Sequence, residues 1–258
     1  MASIFSAIIS VSMGSSLFHT ILPKEIRASN SVERRLLAEY GAVFVAQNVT
    51  PPTKIVFEDE SDVRTFQSGL SVSTENIGGF EMELQSPAMG DLQNAAAEAK
   101  EKGLTISPRD TDSARRNYNE TVGLWASRVE PALEHWVSKG KLSQTGADRI
   151  RALSPFEQVP VVLKLEEEGL FFAKDLSKSI IYSVAPPGTS QHLSMLAFDV
   201  KEHDDPAVRA LLVKHKWHQT VISDLPHFTY LGVEDNELAG LGLRETIGGG
   251  RTFWMPDI

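Results

Sequence analysis

Helical and strand patterns are kept apart along this chain. Three helical patterns follow one another at 118–139, 142–153 and 155–168, whereas beyond residue 190 the apolar runs are short and strand-like. Such segregation predicts an α+β fold, with a small antiparallel sheet flanked by helices, over a regularly alternating doubly wound sheet. In the first helical pattern Val122, Trp125, Val129, Leu133 and Trp136 recur near every 3.6 residues, which assigns both tryptophans to a core. The acidic run Glu166-Glu167-Glu168 reads as a solvated helix end.

Earlier in the chain, 31–40 (with Ser31 as N-cap) and 60–70 read as short helices, and the apolar runs 42–46 and 54–58 as strands. A strand at 80–85 leads into an alanine-rich helix from 86 to about 102, ended by Gly103. Later, 194–200 and 227–233 read as strands, 206–214 as a helix, and the aromatics at 253–255 as a last strand after a glycine turn. That turn, Gly248-Gly249-Gly250, lacks the Lys-Ser/Thr of a phosphate loop. The expected division is an extension over 1–79, holding two strands and two short helices, and a domain over 80–258 with a helical insertion at 118–174.

The formal charge of −9 and the absence of any basic, aromatic-interleaved cluster argue against a nucleic-acid partner. With no cysteine, disulfides, thiolate metal sites and a cysteine nucleophile are excluded, so a metal must be held by His and carboxylates. Residues 1–22 carry no Lys, Arg, Asp or Glu and suggest a weak leader, hence an extracytoplasmic location in a bacterium; six interrupting serines make the stretch too polar for a membrane span. The plainer reading of the same stretch is a flexible tail.

One cluster stands out as chemistry. His192, Asp199 and His227 form a two-imidazole, one-carboxylate set that leaves a bound Zn²⁺ one open position for water. Asp224 adds a second acid to act as proton shuttle. His192 and Asp199 are seven positions apart, so on one uninterrupted strand they would face opposite ways. They converge only if the run Pro186-Pro187-Gly188-Thr189-Ser190-Gln191 is a loop that delivers His192 before the strand begins. Pro226 rejects a helix between Asp224 and His227 and predicts a turn there. Spacing alone leaves His203, His215 and His218 as rival ligands, although Lys214 and Lys216 beside His215 disfavour a cation.

The run from Pro186 through Ser190 to His192, the apolar strand ending at Asp199, and Asp224-Leu225-Pro226-His227 resemble the D-alanyl-D-alanine carboxypeptidase (VanY-like) family of zinc peptidases. The resemblance covers roughly 80–233. It implies His192, Asp199 and His227 as zinc ligands, Asp224 as catalytic acid/base, and Ser190 as a donor beside the site. It also places Arg116, within Ser113-Ala114-Arg115-Arg116-Asn117-Tyr118, on the family arginine that faces a substrate carboxylate or carbonyl. Here Ala114-Arg115 replaces the family's Gly-Tyr, so Arg115 competes for that role. The implied activity is hydrolysis of peptidoglycan stem peptides, or other peptides containing D-amino acids, at a C-terminal D-alanine or at an L-Ala-D-Glu type bond. A non-catalytic, peptide-binding relative with a structural or lost zinc is the alternative, and a metallo-amidase of another substrate class a third.

Overall fold

The computed structural model describes residues 16–258 and is α+β, with small antiparallel sheets flanked by helices. In chain order its elements are α1 (Leu17–Ile21), α2 (Ser31–Tyr40), α3 (Glu60–Ser68), β1 (Val72–Ile77), β2 (Phe80–Gln85), α4 (Ser86–Glu101), α5 (Tyr118–Ser138), α6 (Gln144–Arg151), α7 (Pro155–Glu167), β3 (Ala197–Asp199), α8 (Pro206–Lys214), β4 (Trp217–His218), β5 (His227–Tyr230), β6 (Leu243–Gly248) and β7 (Arg251–Pro256). β1 pairs with β2, β6 with β7, and the central sheet has the order β3-β5-β4, all antiparallel. No helix among the described residues is long and apolar enough to cross a membrane.

Most helices begin where side-chain chemistry says they should. Asn117 caps α5 and Ser154 caps α7, each with a glutamate three residues on that returns to the cap's backbone N–H. In α2 the cap is Asn30, one residue before Ser31, because its Oδ1 accepts from the Glu33 amide at 2.9 Å. Gly249 and Gly250, both at positive φ, make the two-residue turn that joins β6 to β7. β6 itself has no strong sequence signal: only its first residue, Leu243, is buried.

The two larger hydrophobic cores both pack against Ile55. The larger one holds Leu84, Leu92, Leu196, Phe198, Trp217 and Phe228, and also Phe18, Leu22, Leu37 and 42–46. The second is helical: Trp125, Val129 and Leu133 of α5 pack with Ile150, Val159 and Leu163, and Leu36 and Tyr40 of α2 join them. Described residues between 16 and 79 thus supply side chains to both cores. Of the leader-like stretch, 1–15 lie outside the described residues; from Leu17 on it is α1, with Phe18 wholly buried.

Several expectations are corrected here. The strand expected at 42–46 is a 3-10 helix, Gly41–Val45, buried on every side, and a continuous apolar run does not distinguish the two. The strand expected at 54–58 has no regular structure; its Phe57 amide donates to the Gly188 carbonyl at 2.9 Å instead. The strand expected at 194–200 shrinks to β3, because Met195 turns into the left-handed region at φ 58°. Glu166 is not solvated. It accepts hydrogen bonds from the amides of Phe172 (3.1 Å) and Ile180 (2.7 Å) and from the Ser179 hydroxyl, and these donors offset the cost of burying its charge.

A candidate metal centre at the end of the central sheet

Strand register supplies two of the three grouped residues. Asp199 ends β3 and His227 begins β5, and the two are directly opposed. Opposed residues in an antiparallel pair project from the same face, which brings His227 Nδ1 to 3.1 Å from Asp199 Oδ1. His192 comes from a 3-10 helix, Gln191–Ser194, that precedes β3, as the proline-glycine run requires. Its Nε2 lies 3.3 Å from the same Asp199 oxygen. Gly188, at φ 77°, lets the loop before His192 pack against the Phe57 backbone: a Cβ there would stand 1.8 Å from the Phe57 carbonyl oxygen.

The outward ring nitrogens decide what the inward ones offer. His192 Nδ1 lies 2.7 Å from the Ala114 carbonyl, which can only accept, so that nitrogen carries the proton. Gln191 donates its amide nitrogen to the Tyr40 carbonyl at 2.8 Å, which turns its Oε1 toward His227 Nε2 at 2.9 Å. His227 must then donate from Nε2. Both imidazoles therefore aim lone pairs, and no proton, at a carboxylate oxygen that has lone pairs of its own. His192 Nε2 is buried with no hydrogen-bond partner. An unpartnered buried acceptor costs about 1–3 kcal/mol, and three converging lone pairs repel one another as well.

Charge points the same way. Burial opposes ionisation of Asp199, and the Arg116 N–H donated to its Oδ2 at 2.9 Å favours it. Burial also lowers His192, and the Arg116 guanidinium lowers it further, so His192 resists the proton that would neutralise the group. A cation at the meeting point of the three atoms resolves the conflict. His192, Asp199 and His227, at 2%, 6% and 4% exposure, can hold a metal ion, with ligand atoms all within 4.8 Å of one another.

The segment 113–116 forms the outer support. The Asp199 amide donates to the Ser113 carbonyl at 2.9 Å, and Arg116 Nη2 donates to Asp199 Oδ2, also at 2.9 Å. Arg116 Nε donates to the Asp112 carbonyl at 3.1 Å and lies 3.3 Å from the Asp112 carboxylate. Arg116 thus fixes the far oxygen of Asp199 and leaves Oδ1 for a metal. Arg115 turns the other way, to Glu83 at 2.7 Å and Gln67 at 3.1 Å, and does not line the cleft.

The three grouped residues line a cleft of about 320 Å³, together with Arg116, Ser190 and Asp224. Asp224 follows a turn closed by its own amide on the Val221 carbonyl, and its carbonyl accepts the His227 amide at 3.2 Å. Its carboxylate has no hydrogen bond or ion pair among the described residues. None of the rival histidines joins the group. His215 bonds Glu98 at 2.9 Å, His203 lies against Arg251, and buried His218 faces the Val233 carbonyl at 3.1 Å.

Gln191, Tyr40 and Arg128 belong to this site without having stood out in the sequence. Gln191 sits inside the motif as a residue of no fixed type. Tyr40 arrives from α2, its hydroxyl donating to the Ile181 carbonyl at 2.6 Å, and Arg128 arrives from α5; both line the cleft. Comparison of the chain with protein-family models, curated proteins and solved structures finds no match.

Proposed function

We propose that this protein is a zinc-dependent peptidase that hydrolyses peptidoglycan stem peptides, acting outside the cytoplasm. The observation that carries the reading is the proton accounting: two imidazoles with their N–H groups engaged behind them, and one carboxylate oxygen, meet at a point on an open cleft. Two nitrogens and one oxygen, with no sulfur, suit zinc in a catalytic site, where three protein ligands leave a position free. When bound, zinc supplies Lewis-acid activation of water and of the scissile carbonyl.

The chain's own residues do the rest. His192 and His227 are locked in the tautomers that ligation requires, by Ala114 and Gln191. Arg116 keeps Asp199 ionised and oriented. Asp224, unpaired on the same cleft, takes a proton from the attacking water and returns it to the leaving amine. Ser190 adds a hydroxyl to the cleft wall.

Asp224→Asn tests this directly. In a zinc peptidase it lowers kcat by at least ~10²-fold, the low end for loss of general acid–base catalysis, while zinc content stays at one per chain. The assay is digestion of purified muropeptides with and without a chelator, products being read by mass spectrometry. Chelator-insensitive cleavage, or none by zinc-loaded protein, sinks the proposal.

A further inference from the structure

We infer that Arg128, on the inserted helix α5, reads a carboxylate of the substrate in the metal cleft; this rests on the peptidase reading above. The cleft is lined by three arginines, Arg109, Arg116 and Arg128, and by two aspartates, Asp199 and Asp224. Arg116 is taken up by Asp199 and Asp112, so it is not free to anchor a substrate anion. Arg109 is exposed, and its guanidinium has no fixed partner among the described residues.

Arg128 differs from both. It is half-buried, and its Nε donates to the Ser183 hydroxyl at 3.0 Å and its Nη1 to the Ser127 hydroxyl at 2.9 Å. Two neutral oxygens aim the guanidinium but do not neutralise it. Three of its five N–H groups have no partner among the described residues. The chain has 34 acidic residues against 25 lysines and arginines, so acids to pair an arginine are plentiful; none of the described ones forms an ion pair with this one. A held, unneutralised guanidinium beside a cleft is a ready bidentate partner for a carboxylate.

Ser183 follows the 3-10 turn Ile180–Tyr182, whose amide at Ile180 is bonded to buried Glu166 at 2.7 Å. The inserted helices therefore do more than fill a core: they carry Arg128 to the cleft and fix the segment that orients it. Because Arg128 sits on α5 and the grouped ligands on the sheet end, the two ends of a substrate are gripped by different parts of the fold.

The test uses full-length, zinc-loaded wild type, Arg128→Ala and Arg128→Lys. The substrates are a stem pentapeptide ending in D-Ala-D-Ala, its C-terminal amide, and the free acid with the side-chain carboxylate of its second residue amidated. Hydrolysis gives kcat and KM, and calorimetry on the Asp224→Asn background gives Kd without turnover. Wild type is expected to favour one carboxylate form over its amide by roughly 10- to 100-fold in KM or Kd, the range for a hydrogen bond to a charged group. Arg128→Ala erases that preference with kcat within about threefold and zinc content unchanged, while Arg128→Lys restores it only in part. Which amide loses affinity tells a C-terminal from a side-chain carboxylate. Equal handling of all three peptides by wild type, or undiminished preference in Arg128→Ala, overturns the inference. If zinc-loaded wild type binds but cleaves nothing, the peptidase reading fails while the Kd series still decides Arg128; no binding of any peptide overturns both.

Discussion

Asp199 and Glu98 are both carboxylates set among basic side chains that include histidine, yet they form opposite kinds of site. Glu98, on α4, accepts from Lys102 at 2.8 Å, Lys214 at 2.7 Å and His215 at 2.9 Å. Each lysine brings its own proton, so the charges close without a metal. The bond from Lys102, followed by those from Lys214 and His215, pulls the Glu98 carboxyl down to about 2. Around Asp199 Oδ1 the two imidazoles have spent their N–H groups on Ala114 and Gln191 and bring none. The residue types resemble each other; the hydrogen bonds behind the rings separate an ion-pair cluster from a metal centre.

Removing a ligand should break that contrast most severely. His192→Ala removes one of three protein ligands, and zinc affinity should fall about a thousandfold or more, since whole structural zinc sites are worth roughly 10–16 kcal/mol. Competition with a chelating dye measures it, and retained stoichiometric zinc would refute the site. Taking away only the orienting bond should do less. Gln191→Ala frees His227 to swap tautomers, and a loss of about 10- to 100-fold in zinc affinity is expected, as for other residues that orient a ligand. Unchanged affinity with unchanged thermal stability would mean that the Gln191 contact is incidental.

The smallest effect belongs to Glu98→Gln, which should leave zinc affinity untouched. Glu98 has a folded value depressed from its ordinary 4.5 to about 2, so its stabilisation is fully present above pH 4.5 and fades as pH falls toward 2. The Tm of the variant should lie slightly below wild type at neutral pH, with the gap closing through that window. A gap of constant size from pH 7 to pH 2 would show that the three donors contribute nothing through Glu98's charge.

Much of the candidate site was legible because its signals are local. Proline and glycine before His192 force a loop, and Pro226 forces a turn before His227; both are covalent restrictions that act whatever surrounds them. α4, α5 and α7 were legible for a similar reason, since caps and a 3.6-residue apolar repeat lie within a few residues of one another. Other features were not local. The buried 3-10 helix at Gly41–Val45 reads as a strand because a run apolar on all sides has no period. Glu166 reads as solvated because its three donors lie 6 to 14 residues further on. The two neighbouring arginines, Arg115 and Arg116, are indistinguishable in type and part only when one finds Glu83 and the other Asp199.

By itself, then, the sequence determined the segregated α+β plan and the exclusion of thiolate ligation, and put His192, Asp199 and His227 forward among rival ligands, because composition, turn chemistry and periodicity act over short stretches. Tertiary structure alone decided the β3–β5 register that sets Asp199 opposite His227, the tautomers of both imidazoles, the pairing of Arg116 with Asp199 and the arrival of Arg128 and Tyr40 at the cleft. Those depend on which backbone carbonyls and side chains stand behind each group, and such neighbours come from 28 to 151 positions away, beyond the reach of any local pattern.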